Sequence, residues 1–359
     1  MSTTKKYYDI RKLIEAYPDA WCYIVVSARG GSNGAGKTYS TLKYMIDEKA
    51  KFTFLKRTQK DVQFLTSKND KIKGASVSPF KPLNRDLNIN IQCERISEGF
   101  GAFYYANEND ESIGAPIGYV LSLSSAKDVK GFDLAECDYL IFDEFIPQRF
   151  ERVFKNEGES LLSIYMSIQR DRLQRGKPPL KLICLANGSD ISNPLFRTLE
   201  IINDVATMSS CKSEVKYIKK RGIVINSLFW DVDYSNLQGL ELAMQGTKWF
   251  ENNVVGGFTY NDFSNVKKNN LKYMQCLAKV KYNKKTFYIY NHASRYYLSL
   301  SRSNKYTNMF NLDLENQQKR FYLDYVLDLQ DACISDKLNC EEYELYDLII
   351  NYKKYYNVR

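Results

Sequence analysis

Histidine is almost missing from this sequence, since His292 is the only one in 359 residues. Metal sites built from several histidines, and catalysis by Cys–His or Ser–His–Asp groups, therefore have little material to form from. The eight cysteines contain no CxxC pair, and several lie within apolar, strand-like runs. This placement is typical of reduced cysteines in a protein core.

Long apolar segments are missing as well. The chain has no apolar run of about 18 residues that could span a membrane. Its first residues, MSTTKKYYDIRKL, lack the continuous apolar segment of a secretory signal. We therefore expect a soluble protein that acts in the cytoplasm and has no membrane partner. The length of 359 residues predicts two domains.

The positive charge is concentrated in one stretch. The net charge of the chain is +9, and residues 248–305 contain eleven lysines or arginines but only two acidic residues, Glu251 and Asp262. Tyrosine and phenylalanine alternate with the lysines here. Two interpretations remain open: a sheet with one buried aromatic face and one solvated lysine face, or a surface that binds the phosphates of nucleic acid.

The strongest motif lies near the start of the chain and fits the phosphate-loop pattern GxxxxGK[ST]. Its residues are Gly31, Ser32, Asn33, Gly34, Ala35, Gly36, Lys37 and Thr38. The glycines let backbone N–H groups approach phosphate oxygens, Lys37 places an ammonium on the β- and γ-phosphates, and Thr38 offers a hydroxyl to Mg²⁺. An apolar run precedes the loop and a helical pattern follows it, which is the order that the motif requires. The loop predicts a nucleoside triphosphate site.

A second motif, YLIFDEF at 139–145, is an apolar strand that ends in two carboxylates. Behind a complete phosphate loop it is typical of a Walker B strand. Asp143 would hold Mg²⁺ through water, and Glu144 would orient and deprotonate the attacking water. A later strand, 180–186, ends at Asn187, which is either a sensor of the γ-phosphate or part of a plain Asn-Gly turn.

Basic residues follow two further elements. Lys56 and Arg57 end a predicted strand, where open α/β sheets place ligand-binding groups, so they are candidates for phosphate or neighbour contacts. A predicted helix over 157–175 ends in a cluster of three arginines. This cluster either complements the helix dipole or supplies an arginine finger to a neighbouring subunit.

Together these segments resemble the genome-packaging ATPases of small tailed phages, the phi-29-type relatives of terminase large subunits. The resemblance rests on the order SARG, a strand ending in Lys-Arg, FDEF, LLSIYMSIQRDR and LICLANGSDISNPLF, and it covers residues 20–197. It implies that Arg29 is the family's arginine before the loop, Glu144 its catalytic glutamate and Arg170 its trans-acting finger.

The resemblance also implies a fold and partners. The fold is α/β: a RecA-like P-loop ATPase domain of the additional-strand, catalytic-glutamate class at 1–197, a linker with its own short helical or β pieces at 198–247, and a smaller basic α+β domain at 248–359. The last is RNase H-like without nuclease residues. Such proteins use ATP and Mg²⁺ and form a homo-oligomeric ring, a pentamer, on the portal of a procapsid in the host cytoplasm. They translocate double-stranded DNA.

The predicted second domain contains four apparent strands, GGFTYNDF, LKYMQCLAKVKY, KTFYIYN and RYYLSLS, followed by two helices. The candidate DNA contacts within it are Lys267, Lys268, Lys272, Lys281, Lys284 and Lys285. Two-metal nuclease chemistry needs several carboxylates, which residues 248–305 hardly supply. Asp231 and Asp233 are interpreted as turn caps.

Four other functions are alternative interpretations of these motifs. A terminase with an active nuclease and another P-loop translocase or helicase are closely related alternatives. A nucleotide-regulated switch is a different class, but the guanine-reading NKxD motif is not found in the sequence. A small-molecule kinase is disfavoured because Glu144 next to Asp143 favours water as the acceptor.

Overall fold

The computed structural model describes residues 7–32, 34–66, 78–125, 134–147, 151, 153–154, 156–258, 261, 263–356 and 358. The chain divides into two units. The first comprises Met1–Asp190 and Cys211–Thr259, and the second Ile191–Ser210 and Tyr260–Arg359. Within the described ranges, no helix is long and apolar enough to cross a bilayer.

The first unit contains a nine-stranded sheet in the order β3-β4-β5-β2-β6-β7-β1-β9-β8. Its strands are β1 (Cys22–Ser27), β2 (Phe52–Lys56), β3 (Ile91–Ser97), β4 (Phe100–Ala106), β5 (Ser112–Ser122), β6 (Tyr139–Asp143), β7 (Lys181–Asn187), β8 (Val215–Ile218) and β9 (Ile223–Leu228). The six central strands, β5, β2, β6, β7, β1 and β9, are parallel to one another. Strands β3 and β4 at one edge and β8 at the other pair antiparallel with their neighbours.

The predicted α/β class is confirmed, and the topology agrees with the additional-strand class. Every residue of β1 and of β6 is buried, as expected of parallel strands covered on both faces. The phosphate-loop strand β1 and the Walker B strand β6 are not neighbours, because β7 pairs with both. β7 is therefore the strand inserted between them.

Helices surround this sheet. Those of the first unit are α1 (Ile10–Ala16), α2 (Lys37–Asp47), α3 (Gln59–Thr66), α4 (Lys81–Leu87), α5 (Glu157–Gln169), α8 (Gly239–Ala243) and α9 (Lys248–Phe250). α5 is shorter than the predicted helix over 157–175, since residues 171–176 form turns. β3 and β4 form a hairpin that turns at Gly99, whose φ is +69°.

The stretch predicted to be a linker, 198–247, is largely folded into the two units. β9 pairs in parallel with β1 over its whole length, and β8 pairs with β9. The preceding part belongs to the second unit through α6 (Pro194–Thr198) and α7 (Ile202–Cys211). The first unit therefore extends past residue 197, because the buried strand β1 needs a partner on its second side.

The second unit contains a five-stranded mixed sheet in the order β13-β10-β11-β12-β14. Its strands are β10 (Gln275–Tyr282), β11 (Lys285–His292), β12 (Arg295–Ser299), β13 (Asn308–Asn311) and β14 (Leu338–Cys340), and its later helices are α10 (Glu315–Phe321), α11 (Leu327–Ile334), α12 (Tyr343–Ile350) and α13 (Tyr352–Tyr355). The predicted α+β character is confirmed. The short parallel strands β13 and β14 were not predicted from the sequence.

Two other expectations need correction. The described part of GGFTYNDF contains no strand, because Gly256 and Gly257 have φ values of +59° and +95°. A side chain at Gly257 would also collide with the carbonyl of Ala28. Six cysteines are buried as predicted, but Cys211 is exposed and Cys333 is partly exposed.

Candidate nucleotide site

Four polar side chains end four adjacent strands at one edge of the first sheet. In spatial order β2, β6, β7, β1, these strands end at Lys56, Asp143, Asn187 and Ser27. Because the strands are parallel, their carboxyl ends share one edge, which is where open α/β sheets bind ligands. The register pairs Ser27 directly with Asn187.

The phosphate loop connects β1 to α2 at this edge. Gly34 and Gly36 have φ values of +69° and +80°, which explains glycine at these two positions. Ser32 turns inward: its hydroxyl is buried and donates to the carbonyls of Arg29 and Leu228. The Ser32 side chain therefore anchors the loop instead of facing a ligand. Asn33, also predicted to bind phosphate, lies outside the described residues.

Lys37 begins α2, and its side chain is only 8% exposed. Its ammonium donates to the Ser27 hydroxyl and, at 2.9 Å, to the amide oxygen of Asn187. Burial lowers the pKa of Lys37 to about 8, although Asp143 acts in the opposite direction. The predicted sensor residue Asn187 thus lies beside the predicted phosphate-binding lysine.

The predicted magnesium ligands also meet. The Thr38 hydroxyl donates to Oδ1 of Asp143 at 2.8 Å, and Asp143 is 9% exposed at the end of β6. Hydroxyl and carboxylate oxygens are the ligands that Mg²⁺ prefers. These two side chains therefore form a donor set that fits the ion.

Glu144 follows Asp143 and reaches outward, with 73% of its side chain exposed. Lys56 lies 3.1 Å from Oδ2 of Asp143 and 3.4 Å from Oε2 of Glu144. Burial alone would lower the pKa of Lys56, but the two carboxylates raise it overall. The sequence predicts Lys56 only as a phosphate or neighbour contact; its position at a strand end was the available signal for these carboxylate contacts.

Arg29 lies at the entrance to the phosphate loop. Its guanidinium forms an ion pair with Asp231, and both side chains are well exposed. Asp233 accepts a hydrogen bond from the Ser235 N–H, as a turn cap does. Of the two aspartates predicted to cap turns, Asp233 does so and Asp231 pairs with Arg29.

The arginine cluster lies at the opposite edge of the sheet. Arg172 is fully buried and donates to the carbonyls of Ala135, Cys137 and Pro178. Arg170 is exposed at the end of α5, which runs from the carboxyl end of β6 toward the amino end of β7. Arg170 is therefore not brought to the site of its own chain.

The candidate DNA-binding lysines lie in the second unit, and they divide into two groups. Lys281 pairs with Asp313 at 3.4 Å, and Lys285 pairs with Glu344 at 2.8 Å. The other four, Lys267, Lys268, Lys272 and Lys284, are exposed, as Lys281 is. Among the interleaved aromatic residues, Tyr273 is 73% exposed, whereas Tyr282, Phe287, Tyr288 and Tyr290 are buried. Tyr282 and Phe287 pack in one apolar cluster and Tyr288 and Tyr290 in another, so the buried aromatic residues lie on both faces of the sheet and not on one face opposite the lysines.

Comparison with known proteins agrees with these features. A family model of podovirus DNA encapsidation proteins (Gp16) matches residues 4–323. The structure is similar to that of the gp11 DNA packaging motor of Phi-28, with a TM-score of 0.63 and 19% identity over 99% of both chains. It is also similar to a chain of the bacteriophage Phi-29 viral genome packaging motor assembly, with a TM-score of 0.64 and 17% identity over 97% of this chain and 99% of that one. No curated protein sequence matches the chain.

Proposed function

Because the chain belongs to the podovirus DNA encapsidation protein (Gp16) family, we propose that it is an ATP-hydrolysing motor that moves double-stranded DNA into a procapsid. The observation that carries this proposal is the convergence of Lys37, Thr38, Asp143 and Glu144 at one sheet edge. This set combines a cation for phosphate, ligands for Mg²⁺ and a carboxylate for water.

ATP binding relies on exchange of partners at Lys37. In the structure its ammonium donates hydrogen bonds to Ser27 and Asn187. A polyphosphate is a stronger partner for a buried cation than two neutral oxygens, so it displaces these contacts. Asn187 is then left beside the γ-phosphate, as a sensor would be. The phosphate loop, Arg29 and Thr38 complete the set of residues that we assign to the nucleotide.

Mg²⁺ would be held by Thr38 and Asp143, and it would neutralise charge on the phosphates. Glu144 is the group that we assign to water. Its carboxylate is exposed and held only loosely by Lys56, so it can accept a proton from a water aligned with the γ-phosphate.

Arg170 is assigned to a neighbouring subunit, which explains why a ring is needed. α5 contains 13 residues, so Arg170 lies about 20 Å along the helix from Glu157 at the end near the site. It is too far to stabilise charge in its own site. An arginine finger is worth about 10³ to 10⁵ in rate, so its loss should abolish hydrolysis in the assembled ring.

Mixed rings test this assignment. Subunits carrying Arg170→Ala keep their own nucleotide site, and subunits carrying Lys37→Ala keep their arginine. We expect the mixture to regain ATP hydrolysis that neither variant shows alone. The contrary result has two parts. The mixture of the two variants would stay inactive, and mixtures of either variant with wild-type protein would show activity in proportion to the wild-type fraction. That result would place each active site within one subunit.

The remaining parts of the proposal concern partners. By family membership we infer a homo-oligomeric ring, a pentamer, on the portal of the procapsid in the host cytoplasm, with the exposed lysines of the second unit holding DNA phosphates. We expect no nuclease activity, because residues 248–305 supply so few carboxylates. Incubation of plasmid DNA with the protein and Mn²⁺ tests this, since cutting would indicate an active nuclease.

A further inference from the structure

The turn that carries Glu144 has an unusual backbone. Glu144 has a φ of +57°, a left-handed conformation that side chains other than glycine and asparagine seldom adopt. The next residue, Phe145, is fully buried, and its N–H donates to the carbonyl of Leu185 in β7 at 3.2 Å. The backbone of Glu144 is thus held firmly while its carboxylate projects into solvent.

Arg57 holds this turn through hydrogen bonds to its backbone carbonyls. One guanidinium nitrogen, Nη2, donates to the carbonyl of Glu144 at 3.0 Å and to that of Phe145 at 2.9 Å. Hydrogen bonds from a charged donor are stronger than those between neutral groups. The two bonds fix successive carbonyls, and therefore the orientation of the two peptide planes on either side of Phe145.

Glu157, the first residue of α5, anchors Arg57. Its two carboxylate oxygens accept hydrogen bonds from Nε at 3.0 Å and Nη2 at 3.2 Å, and it is 1% exposed. Burial raises the pKa of Glu157, and Arg57 acts against that shift. Glu151, which is partly exposed, contacts Nη1 at 3.3 Å.

Stability alone is a weak reason for this pair. A buried ion pair often contributes no more stability than apolar residues of similar size. What an apolar pair could not do is donate to the two carbonyls of the turn. The fork of guanidinium N–H groups serves the carboxylate and both carbonyls at once, which the single nitrogen of lysine does not match.

We propose that Arg57 is a positioning residue for ATP hydrolysis. It fixes the backbone of the turn after β6, and this backbone places the Glu144 carboxylate where it can act on the attacking water. The proposal rests on the role assigned to Glu144 in the proposed function. The role of Arg57 differs from that of Lys56, because Lys56 contacts the Glu144 carboxylate and Arg57 contacts the backbone.

The first test is Arg57→Lys, which keeps a positive charge beside Glu157. We expect ATP affinity within about twofold of wild type and a kcat lower by ~10- to 100-fold, because a small misplacement of a catalytic group costs rate and not binding. If this variant does not fold, Glu157→Asp moves the anchor by one carbon and should lower kcat in the same way. Unchanged kcat in a folded variant overturns the proposal.

Lys181→Met is the matched control. Lys181 also donates to backbone carbonyls, those of Pro18 and Ala20, but it lies at the amino end of β7, at the opposite edge of the sheet from Glu144. We expect this substitution to lower the Tm and leave kcat unchanged. If both variants lower kcat to the same extent as they lower the Tm, the role of Arg57 is only structural.

The double variant with Glu144→Gln separates the two proposals. If Arg57 acts through Glu144, Arg57→Lys should not lower further the residual rate of Glu144→Gln. An equal fold-loss in both backgrounds overturns the positioning role of Arg57. A wild-type rate for Glu144→Gln alone would instead contradict the catalytic role of Glu144, which is a failure of the proposed function.

Discussion

ATP affinity should fall as the pH rises through 8, because Lys37 gives up its proton more readily in this site than in water. Burial lowers the pKa of Lys37 to about 8. Only the protonated ammonium attracts the β- and γ-phosphates. Bound ATP therefore favours protonated Lys37, and the affinity is greatest below pH 8 and is lost above it.

The magnitude follows from the fraction of Lys37 that is protonated before binding. Between about pH 7.5 and 9.5 this fraction falls from roughly three quarters to a few per cent, so Kd should rise by about 25-fold, which is equivalent to ~1.9 kcal/mol. An exposed lysine, with an ordinary pKa near 10.4, would lose little of its charge over the same range.

The assay is a titration of the protein with a fluorescent ATP analogue across this pH range, with circular dichroism to show that the protein stays folded. Lys37→Arg is the control, because its guanidinium stays charged throughout and its affinity should be flat with pH. A wild-type affinity that changes by less than twofold over the range would refute the reasoning, since the ammonium would then be either fully charged or irrelevant to binding.

Three further predictions can be checked separately. Glu144→Gln should bind ATP normally but hydrolyse it ~10²- to 10⁴-fold more slowly, whereas Lys37→Ala should bind weakly; equal binding defects in equilibrium titrations would contradict these roles. Replacing Lys267, Lys268, Lys272 and Lys284 by alanine should lower the slope of log DNA affinity against log salt by up to roughly 3 to 4, without loss of basal ATP hydrolysis; an unchanged slope would exclude these lysines. Arg172→Met should cost about 3 to 5 kcal/mol of unfolding free energy, measured by denaturant titration, because it leaves buried carbonyls and Asp138 without their donor.

Much of the site could be predicted because its parts are local. A buried strand, glycines in the left-handed region and a lysine at the start of a helix are consecutive in the chain. The strand ends Asp143 and Asn187 could be predicted to lie at the same edge for a simple reason. Parallel strands place their carboxyl ends together whatever their order in the sheet.

The extent of the first unit could not be predicted in the same way. β9 has only six residues and pairs with β1, about 200 positions earlier in the chain. Such pairing depends on which strand of the sheet still lacks a neighbour, and no short-range sequence pattern predicts that. The apolar residues of β9 were a signal for a strand, but not for its partner.

Arg57 illustrates the same difference within a single residue. Its sequence position, after a strand, suggested a ligand contact, yet its side chain turns inward toward Glu157 and the carbonyls after β6. Glu157 in turn resembles an ordinary acidic residue in the first turn of a helix. The two residues are 100 positions apart in the chain, and nothing in the sequence around either one predicts that they will be buried side by side.

The two buried arginines, Arg57 and Arg172, fix the two ends of α5. Arg57 ties the amino end of this helix, through Glu157, to the turn that carries Glu144. Arg172 ties the segment after its carboxyl end to Asp138, at the amino end of β6. Since both ends are fixed to opposite edges of one sheet, Arg170 cannot swing back to its own phosphate loop without breaking a buried network. The arginine finger that we propose at Arg170 would therefore act on another copy of the chain, and its contribution to catalysis would require assembly.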